Sequence, residues 1–124
     1  MTNSAAGSYL AFFDEHRDAL LEEFFTFLRF QSVSTEPAYK SEMHACVHWL
    51  EGKLQELGFV TELWTTSSHP VLYAQRPTQV AGNKPTVLIY NHYDVQPIDP
   101  IELWVSPPFE PAIRDGQKIG RAHV

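Results

Sequence analysis

Two residues that could do chemistry together, His92 and Asp94, follow a run of apolar and β-prone residues at 86–90. In open α/β sheets, ligands bind just beyond the carboxyl ends of strands, so a metal or substrate group would lie here. Because side chains alternate along an extended segment, both residues can point to the same side. The carboxylate could then accept a hydrogen bond from one ring nitrogen and leave the other for a metal. An isolated His-x-Asp is nevertheless more often a histidine held by local hydrogen bonds.

The composition is that of an ordinary globular domain, with 124 residues of which 44% are hydrophobic and 19% charged. A net charge of −6 argues against non-specific nucleic-acid binding and against a basic membrane-binding patch. Cys46 is the only cysteine, so an intramolecular disulfide and a cysteine-built zinc site are both excluded. The first residues lack the pattern of a secretory signal, and no apolar run reaches the roughly 18 residues of a membrane span. These features predict a cytoplasmic protein without nucleic-acid or membrane partners.

Apolar residues recur at helical spacing over residues 9–30, which predicts a first helix, followed by a polar loop over 31–37. A second helix is expected to begin near Ser41, a plausible N-cap, and to end at Gly58, a plausible C′ residue. The predicted apolar faces are Leu10, Phe13, Leu20, Leu21, Phe24, Phe25 and Leu28 in the first helix, and Met43, Cys46, Val47, Leu50, Leu54 and Leu57 in the second.

Strand signals follow the second helix. Residues 59–65 alternate like a strand, and residues 71–75 are expected to pair with it as a hairpin across a turn at 67–70. After another turn at 82–85, the segment 86–90 is apolar on successive residues rather than alternating. Such a run is typical of a strand with both faces covered, so a buried strand is predicted here.

The last part of the chain combines an irregular, proline-rich segment at 97–111 with a tight hairpin at 113–119. Trp104 and Phe109 are expected to anchor the proline-rich segment by packing, in preference to lining a substrate cleft. Asp115 and Gly116 suit the positive φ angles of a type I′ turn, so Asp115 is expected to be a turn residue. The sequence ends without a terminating signal, and we expect it to continue in a longer protein.

Spaced residues along most of the chain resemble the amino-terminal catalytic region of the M20 metallopeptidases, above all their dipeptidase-type branch with the carnosinase-like enzymes. The matching residues are Asn-His-Tyr-Asp-Val-Gln-Pro at 91–97, Trp104, Pro-Phe-Glu-Pro at 108–111, Arg-Asp-Gly at 114–116, Gly-Arg at 120–121, Gly-Phe-Val at 58–60 and His-Pro-Val-Leu-Tyr-Ala at 69–74. The resemblance implies an α/β, zinc-exopeptidase-like fold of the phosphorylase/hydrolase type, with two helices packed on a mixed, partly parallel sheet. Residues 1–124 would form the amino-terminal part of the catalytic domain, without the family's lid or dimerisation domain.

By the same resemblance, the whole protein would hydrolyse an amide bond in dipeptides or short peptides, use two divalent metal ions, most often zinc, and form a homodimer. His92 would be a ligand of one zinc ion. Asp94 would be the active-site aspartate that hydrogen-bonds this histidine and steadies it. In two-metal hydrolases one ion polarises the scissile carbonyl and lowers the pKa of a bound water, whose proton a glutamate accepts.

The match to the family ends at Gly120 and Arg121, and Ala122 stands where the family has a second glycine. The aspartate that bridges the two metals would follow Val124, and the general-base glutamate and the other ligands would lie farther on. His123 matches no ligand position. One histidine supplies one of the three or four protein ligands that a zinc ion needs, so the 124 residues are expected to be catalytically incomplete.

Other residues that could bind a metal or act as nucleophiles have simpler explanations. His44 and His48 stand four apart on the second helix, off its apolar stripe, and are expected on a solvated face. Ser32 and Ser34 lack a Gly-x-Ser-x-Gly elbow and are expected to be turn residues. Cys46 lies on the apolar stripe and is expected to be a small core residue.

Two other functions stay open at this point. A deacylase of N-acyl amino acids in the same superfamily would share the His-x-Asp segment, and only the region 104–111 favours the dipeptidases. The other alternative is a non-catalytic binding domain on the same fold. An aspartate encoded soon after codon 124, followed by a Glu-Glu pair, would favour the enzyme over the binding domain.

Overall fold

The computed structural model describes residues 4–77, 82 and 84–120, except the side chains of 4–6. The helices are α1 (Ser4–Arg29) and α2 (Lys40–Glu56), and the strands are β1 (Val60–Trp64), β2 (Val71–Gln75), β3 (Ala112–Arg114) and β4 (Gln117–Ile119). Short 3₁₀ helices lie at Pro37–Tyr39 and Ile101–Leu103. The α/β class predicted from the sequence is therefore confirmed.

Both sheets of the described residues are two-stranded antiparallel hairpins. β1 pairs with β2, and β3 pairs with β4, as the sequence predicts. In the turn between β3 and β4, Asp115 has φ 50° and Gly116 has φ 74°. Two consecutive positive φ angles are those of a type I′ turn, whose twist matches that of the flanking strands. The predicted turn role of Asp115 is confirmed.

A mixed sheet, which the family resemblance implies, is represented among the described residues by a single parallel bridge. Val33, in the loop after α1, pairs with Val95. The N–H of Val95 donates to the carbonyl of Ser32 at 2.9 Å. This bridge ties the amino-terminal loop to the segment that carries His92 and Asp94.

The small core lies where α2 faces the loop after α1. Met43, Cys46 and Val47 of α2 are buried, together with Ser32 and Val33 of the loop. The predicted core position of Cys46 is therefore confirmed. Burial of these side chains stabilises the contact between α2, the loop and the segment bridged to it.

The carboxyl-terminal half of α1 packs on α2 through aromatic rings. The ring centroid of Trp49 lies 6.1 Å from that of Phe27 and 5.8 Å from that of Phe30. At the edge of this contact, Nζ of Lys53 lies 3.5 Å from the carboxylate of Glu23. The pairing of the two predicted helices therefore rests on the last turns of α1.

Several residues of the predicted apolar faces are exposed, which corrects the sequence reading. In α1 they are Leu10, Phe13, Leu20 and Phe24. In α2 it is Leu57, the C-cap residue, with 61% of its surface exposed. Helical spacing predicts which side chains share one face of a helix. Burial of that face also requires a second surface to pack against it, and the described residues place little surface against these side chains.

The two ends of α2 differ in how well local signals predict them. Ser41 lies inside the helix, and the N-cap is Tyr39, which makes no side-chain cap bond, because a 3₁₀ helix runs directly into α2. At the other end, Gly58 has φ 82°. The N–H groups of Gly58 and the next residue donate to the carbonyls of Gln55 and Leu54 at 2.9 and 3.0 Å, which closes a Schellman motif. The predicted N-cap is wrong, and the predicted C′ glycine is confirmed.

Replacing Gly58 by alanine is expected to lower the free energy of unfolding by about 1–2 kcal/mol, because a Cβ disfavours the left-handed conformation. The space itself is open, since the nearest atom to an added Cβ is 4.0 Å away. Gly52→Ala is the matched control: Gly52 lies inside α2 with nothing within 4 Å of its Cβ position. This variant should gain about 0.5–1 kcal/mol. Urea unfolding measures both, and equal effects of one sign would contradict the argument.

Residues 86–90, predicted as a buried strand, are neither paired nor buried. No strand is assigned between residues 84 and 94. The exposed fractions are 78% for Val87, 89% for Leu88, 78% for Ile89 and 90% for Tyr90. A segment that is apolar on successive residues needs cover on both faces and a strand beside it, and the described residues supply neither.

The isolated 124-residue chain is expected to self-associate, because contiguous exposed apolar residues and unpaired backbone groups favour contacts between copies. Sedimentation velocity should show an average mass that rises with concentration. Leu88→Lys should weaken this association. Val105→Lys is the matched control, since Val105 is 86% exposed but lies outside the apolar run. A wild-type chain that stays monomeric at high concentration would refute the expectation.

The segment 97–111 is irregular apart from its short 3₁₀ helix, as the sequence predicts. The indole N–H of Trp104 donates to the carbonyl of Ile98 at 2.9 Å. The guanidinium of Arg114 in β3 donates to the hydroxyl of Ser106 at 2.9 Å. Trp104 and Phe109 are both half-buried, which fits their predicted packing role.

Some predicted features fall outside the described residues. They are Asn83 in the turn at 82–85, Arg121 and Ala122 of the family match, and His123. Within the described parts of the chain, no helix has both the length and the apolar composition to cross a membrane.

Candidate metal-ligand site

His92 and Asp94 lie together, and their side chains are hydrogen-bonded. Nδ1 of His92 is 2.9 Å from Oδ1 of Asp94 and 3.0 Å from the main-chain oxygen of Asp94. Both neighbours are acceptors, so Nδ1 carries the proton and, in the neutral ring, Nε2 carries the lone pair. The side chain of His92 is 78% exposed, so the ring is accessible from solvent. The geometry is that of a histidine oriented for metal binding, and the metal-binding role itself stays a prediction.

The loop after α1 holds the segment around this pair. The hydroxyl of Ser34 donates to Oδ2 of Asp94 at 2.5 Å. The hydroxyl of Ser32 donates to the carbonyl of Tyr93 at 2.7 Å. Both serines lie in the loop, as predicted. The two residues in each of these hydrogen bonds are 60 and 61 positions apart in the sequence, and no local sequence pattern indicates such contacts.

The turn between β1 and β2 fixes the same segment from a second direction. The hydroxyl of Tyr93 donates to the carbonyl of Pro70 at 2.6 Å. Nε2 of His69 lies 2.8 Å from the carbonyl of Ser34, an acceptor, so Nε2 is the donor. Nδ1 of His69 is buried and has no partner among the described residues. The loop, the turn and residues 92–95 are therefore one hydrogen-bonded unit.

The described residues fit one metal ligand and not a complete metal centre. Over residues 4–77, 82 and 84–120, no group of three or more His, Cys, Asp or Glu side chains could hold a metal ion. His44 and His48 on α2 are exposed, as predicted. Nδ1 of His48 lies 3.4 Å from a carboxylate oxygen of Glu51, so α2 carries a second, solvated histidine–carboxylate pair.

Known proteins similar in sequence to this chain are hydrolases. It is 38% identical to the succinyl-diaminopimelate desuccinylase of Azoarcus sp. (strain BH72) over 76 residues, which are 61% of this chain and 19% of the relative. It is 28% identical to the cysteinylglycine-S-conjugate dipeptidase of Corynebacterium striatum over 123 residues, which are 98% of this chain and 27% of the relative. No family model matches the chain.

The fold comparison agrees with the sequence relatives. The structure of the di-peptidase Dug1p from Saccharomyces cerevisiae matches 87% of this chain and 25% of that chain, with a TM-score of 0.76 and 22% identity. The sequence relatives are M20 proteins. The chain is therefore similar to M20 proteins in sequence and in fold, and it spans 19–27% of the length of the relatives it matches.

Two side chains at the candidate site have shifted pKa values. Partial burial alone would raise the pKa of Asp94, but hydrogen bonds from Ser34 and His92 and the attraction of the imidazolium outweigh it, so the pKa of Asp94 is lowered. The pKa of the Tyr93 phenol is raised, first by its burial and then by the nearby Cys46 and the carboxylate of Asp94. At neutral pH the aspartate is therefore an acceptor and the phenol a donor, as their contacts require.

The lowered pKa of Asp94 makes the stability of this chain depend on pH in one direction. Since the pKa in the folded chain lies below the ordinary 3.8, the carboxylate stabilises the fold at neutral pH. This contribution is lost as the pH falls through the folded-state value. We expect the difference in free energy of unfolding between wild type and Asp94→Asn to be constant above about pH 5 and to shrink at lower pH.

Urea unfolding at steps between pH 7 and pH 2 measures this difference. Asp115→Asn is the matched control, because it removes one carboxylate from an exposed turn and asparagine tolerates positive φ. A difference between wild type and Asp94→Asn that stays unchanged down to pH 2 would contradict the hydrogen-bonded role of the carboxylate.

Proposed function

We propose that this chain forms part of the catalytic domain of an M20 hydrolase that cleaves amide bonds in dipeptides or short peptides. The observation that carries the proposal is the extent of the dipeptidase match. The dipeptidase of C. striatum aligns with 98% of this chain, whereas the desuccinylase of Azoarcus aligns with 61%. The chain also shares its fold with a second dipeptidase over 87% of its length.

His92 is the proposed ligand of one of two divalent metal ions, most often zinc in this family. Two observations support this role: the ring is exposed, and both groups near Nδ1 are acceptors, which favours a proton on Nδ1 and a lone pair on Nε2. Asp94 is the proposed orienting carboxylate, since ligating histidines donate their second ring N–H to such a partner. The remaining ligands would come from residues outside the described ones.

The proposal also covers the cellular location, the domain organisation and the oligomeric state of the whole protein. It would act in the cytoplasm, where thiols stay reduced. The single cysteine of these 124 residues, Cys46, is a buried thiol, which fits a reducing compartment. Residues 1–124 would be the amino-terminal part of the catalytic domain. The whole protein would form a homodimer through its lid or dimerisation domain, and its partner in the reaction would be a peptide substrate.

Deacylation of an N-acyl amino acid is the second candidate function. The observation that favours it is the higher identity to the desuccinylase, 38% against 28% for the dipeptidase. Both reactions hydrolyse an amide bond, so the residues near His92 do not separate them. Substrate preference separates them directly.

The test is a comparison of kcat/KM on two substrates with the complete product of the gene. L-cysteinylglycine represents the dipeptides and N-succinyl-L-lysine the acylated amino acids, each assayed with added zinc and after chelation. We expect at least a tenfold preference for the dipeptide and loss of activity on chelation. A preference for the succinylated substrate would replace the proposal by the deacylase, and no activity on either would favour a binding domain.

The same assay on the 124-residue chain alone tests whether one ligand is enough. Because the described residues fit a single ligand, we expect no metal-dependent hydrolysis of dipeptides by this chain. Dipeptide hydrolysis that zinc restores after chelation would contradict that expectation.

A further inference from the structure

The carboxylate of Asp94 is held at both of its oxygens. Oδ1 is 2.9 Å from Nδ1 of His92, and Oδ2 accepts the hydroxyl hydrogen bond of Ser34 at 2.5 Å. A carboxylate bonded at one oxygen can still rotate about its side-chain torsions, whereas a second bond on the opposite oxygen fixes its plane. Ser34 therefore reaches the imidazole of His92 through Asp94 without touching it.

Ser34 is itself held in place by groups far away in the sequence. Its carbonyl accepts a hydrogen bond from Nε2 of His69 at 2.8 Å. The carbonyl of His69 in turn accepts the hydroxyl of Thr66 at 2.7 Å. On the other side of Ser34, Val33 is bridged to Val95. A serine that served only as a turn residue would not need its main chain fixed on both sides.

We infer that Ser34 is a positioning residue, which fixes Asp94 and thereby keeps the proton of His92 on Nδ1 and the lone pair on Nε2. The inference deepens the proposed function, since Nε2 is the nitrogen through which His92 would bind a metal. The tautomer of a ligating histidine is set by the hydrogen bond that its other nitrogen makes. The main-chain oxygen of Asp94, 3.0 Å from Nδ1, is a second acceptor for the same proton. Loss of the Ser34 hydroxyl would free the carboxylate to rotate away from the ring and leave Nδ1 with the main-chain oxygen alone, which lowers the population of the Nδ1–H form.

The tautomer of His92 can be measured without any metal. In the 124-residue chain labelled with ¹⁵N-histidine, two-bond ¹H–¹⁵N correlation spectra at pH 8.5 report which ring nitrogen is protonated. The Nδ1–H form is expected to predominate in wild type. The population of this form should fall in Ser34→Ala and stay at the wild-type level in Ser34→Thr, which retains the hydroxyl.

Ser41→Ala is the matched control, because Ser41 is an exposed serine of α2. It should leave the His92 tautomer unchanged. If the population of the Nδ1–H form fell in Ser41→Ala as much as in Ser34→Ala, the effect would not depend on the Ser34 hydroxyl. This result would overturn the inference. So would wild-type and Ser34→Ala spectra with the same tautomer population.

Far-UV circular dichroism shows whether Ser34→Ala folds. Should it not fold, Ser34→Cys decides, because a thiol has nearly the size of the hydroxyl but donates weakly. An intermediate tautomer population in folded Ser34→Cys supports the inference, and a wild-type population overturns it. The proposed function is judged separately by hydrolysis in the complete gene product, so a failure of one does not count as a failure of the other.

Discussion

In Met43→Ala, the free energy of unfolding is expected to fall by about 2–5 kcal/mol, the range for truncation of a buried methionine. Met43 is 2% exposed and is the largest of the fully buried side chains, beside Cys46 and Val47. These residues, with Ser32 and Val33, are the core that joins α2 to the loop holding the candidate metal-ligand site. A loss of this size is a large part of the 5–15 kcal/mol by which folded domains are usually stable.

Leu57→Ala is the matched control for Met43→Ala. Both residues belong to the apolar face predicted for the second helix, and both changes remove a long unbranched or γ-branched side chain. Because Leu57 is 61% exposed, its truncation should change the free energy of unfolding by only about 0.5 kcal/mol. Urea unfolding monitored by tryptophan fluorescence measures both variants. Equal losses would support the face predicted from periodicity over the core seen in the structure.

Features set by neighbouring residues could be predicted from the sequence. The positive φ angles at Asp115 and Gly116 follow from the turn chemistry of that pair, and the end of α2 follows from Gly58. The hairpin of β1 and β2 follows from alternation on either side of a short turn. The hydrogen bond between His92 and Asp94 belongs to the same class, because the two residues are only two apart.

Features that depend on distant residues could not be predicted in this way. Ser34 and Asp94 are separated by 60 residues, and His69 and Ser34 by 35. Nothing in the local sequence of a serine in a polar loop distinguishes one that bonds a distant carboxylate from one that faces solvent. The fold alone brings the loop after α1, the turn after β1 and the segment after residue 90 into contact.

The segment 86–90 shows the opposite failure, in which a correct local signal gives a wrong structural prediction. Its apolar run is typical of a buried central strand, but burial is a property of the strand together with its neighbours. Val87 to Tyr90 are among the most exposed large hydrophobic side chains of the described residues. The apolar run indicates that the segment requires packing on both faces and a neighbouring strand, and the described residues provide neither.

Replacing His92 by alanine in the complete gene product is expected to reduce metal-dependent dipeptide hydrolysis more than any change to its surroundings. Asp94→Asn should lower metal affinity or activity by roughly 10–100-fold, as loss of a partner to a ligating histidine does, and His92→Ala should exceed about 100-fold. The reason is that Asp94 would only orient the ring, whereas Nε2 of His92 would bond the metal directly. Zinc content after dialysis and kcat/KM on a dipeptide measure both effects.

His48→Ala is the control for the losses of activity expected in His92→Ala and Asp94→Asn. His48 is also a histidine beside a carboxylate, 3.4 Å from Glu51, and its side chain is 60% exposed. If a histidine–carboxylate pair were enough to bind the metal, His48→Ala would lower zinc content as His92→Ala does. We expect it to match wild type, because His92 lies in the run at 91–97 that resembles the metal-binding segment of the M20 peptidases, whereas His48 lies on an exposed face of α2. Wild-type zinc content and activity in His92→Ala would remove the central ligand of the proposed site.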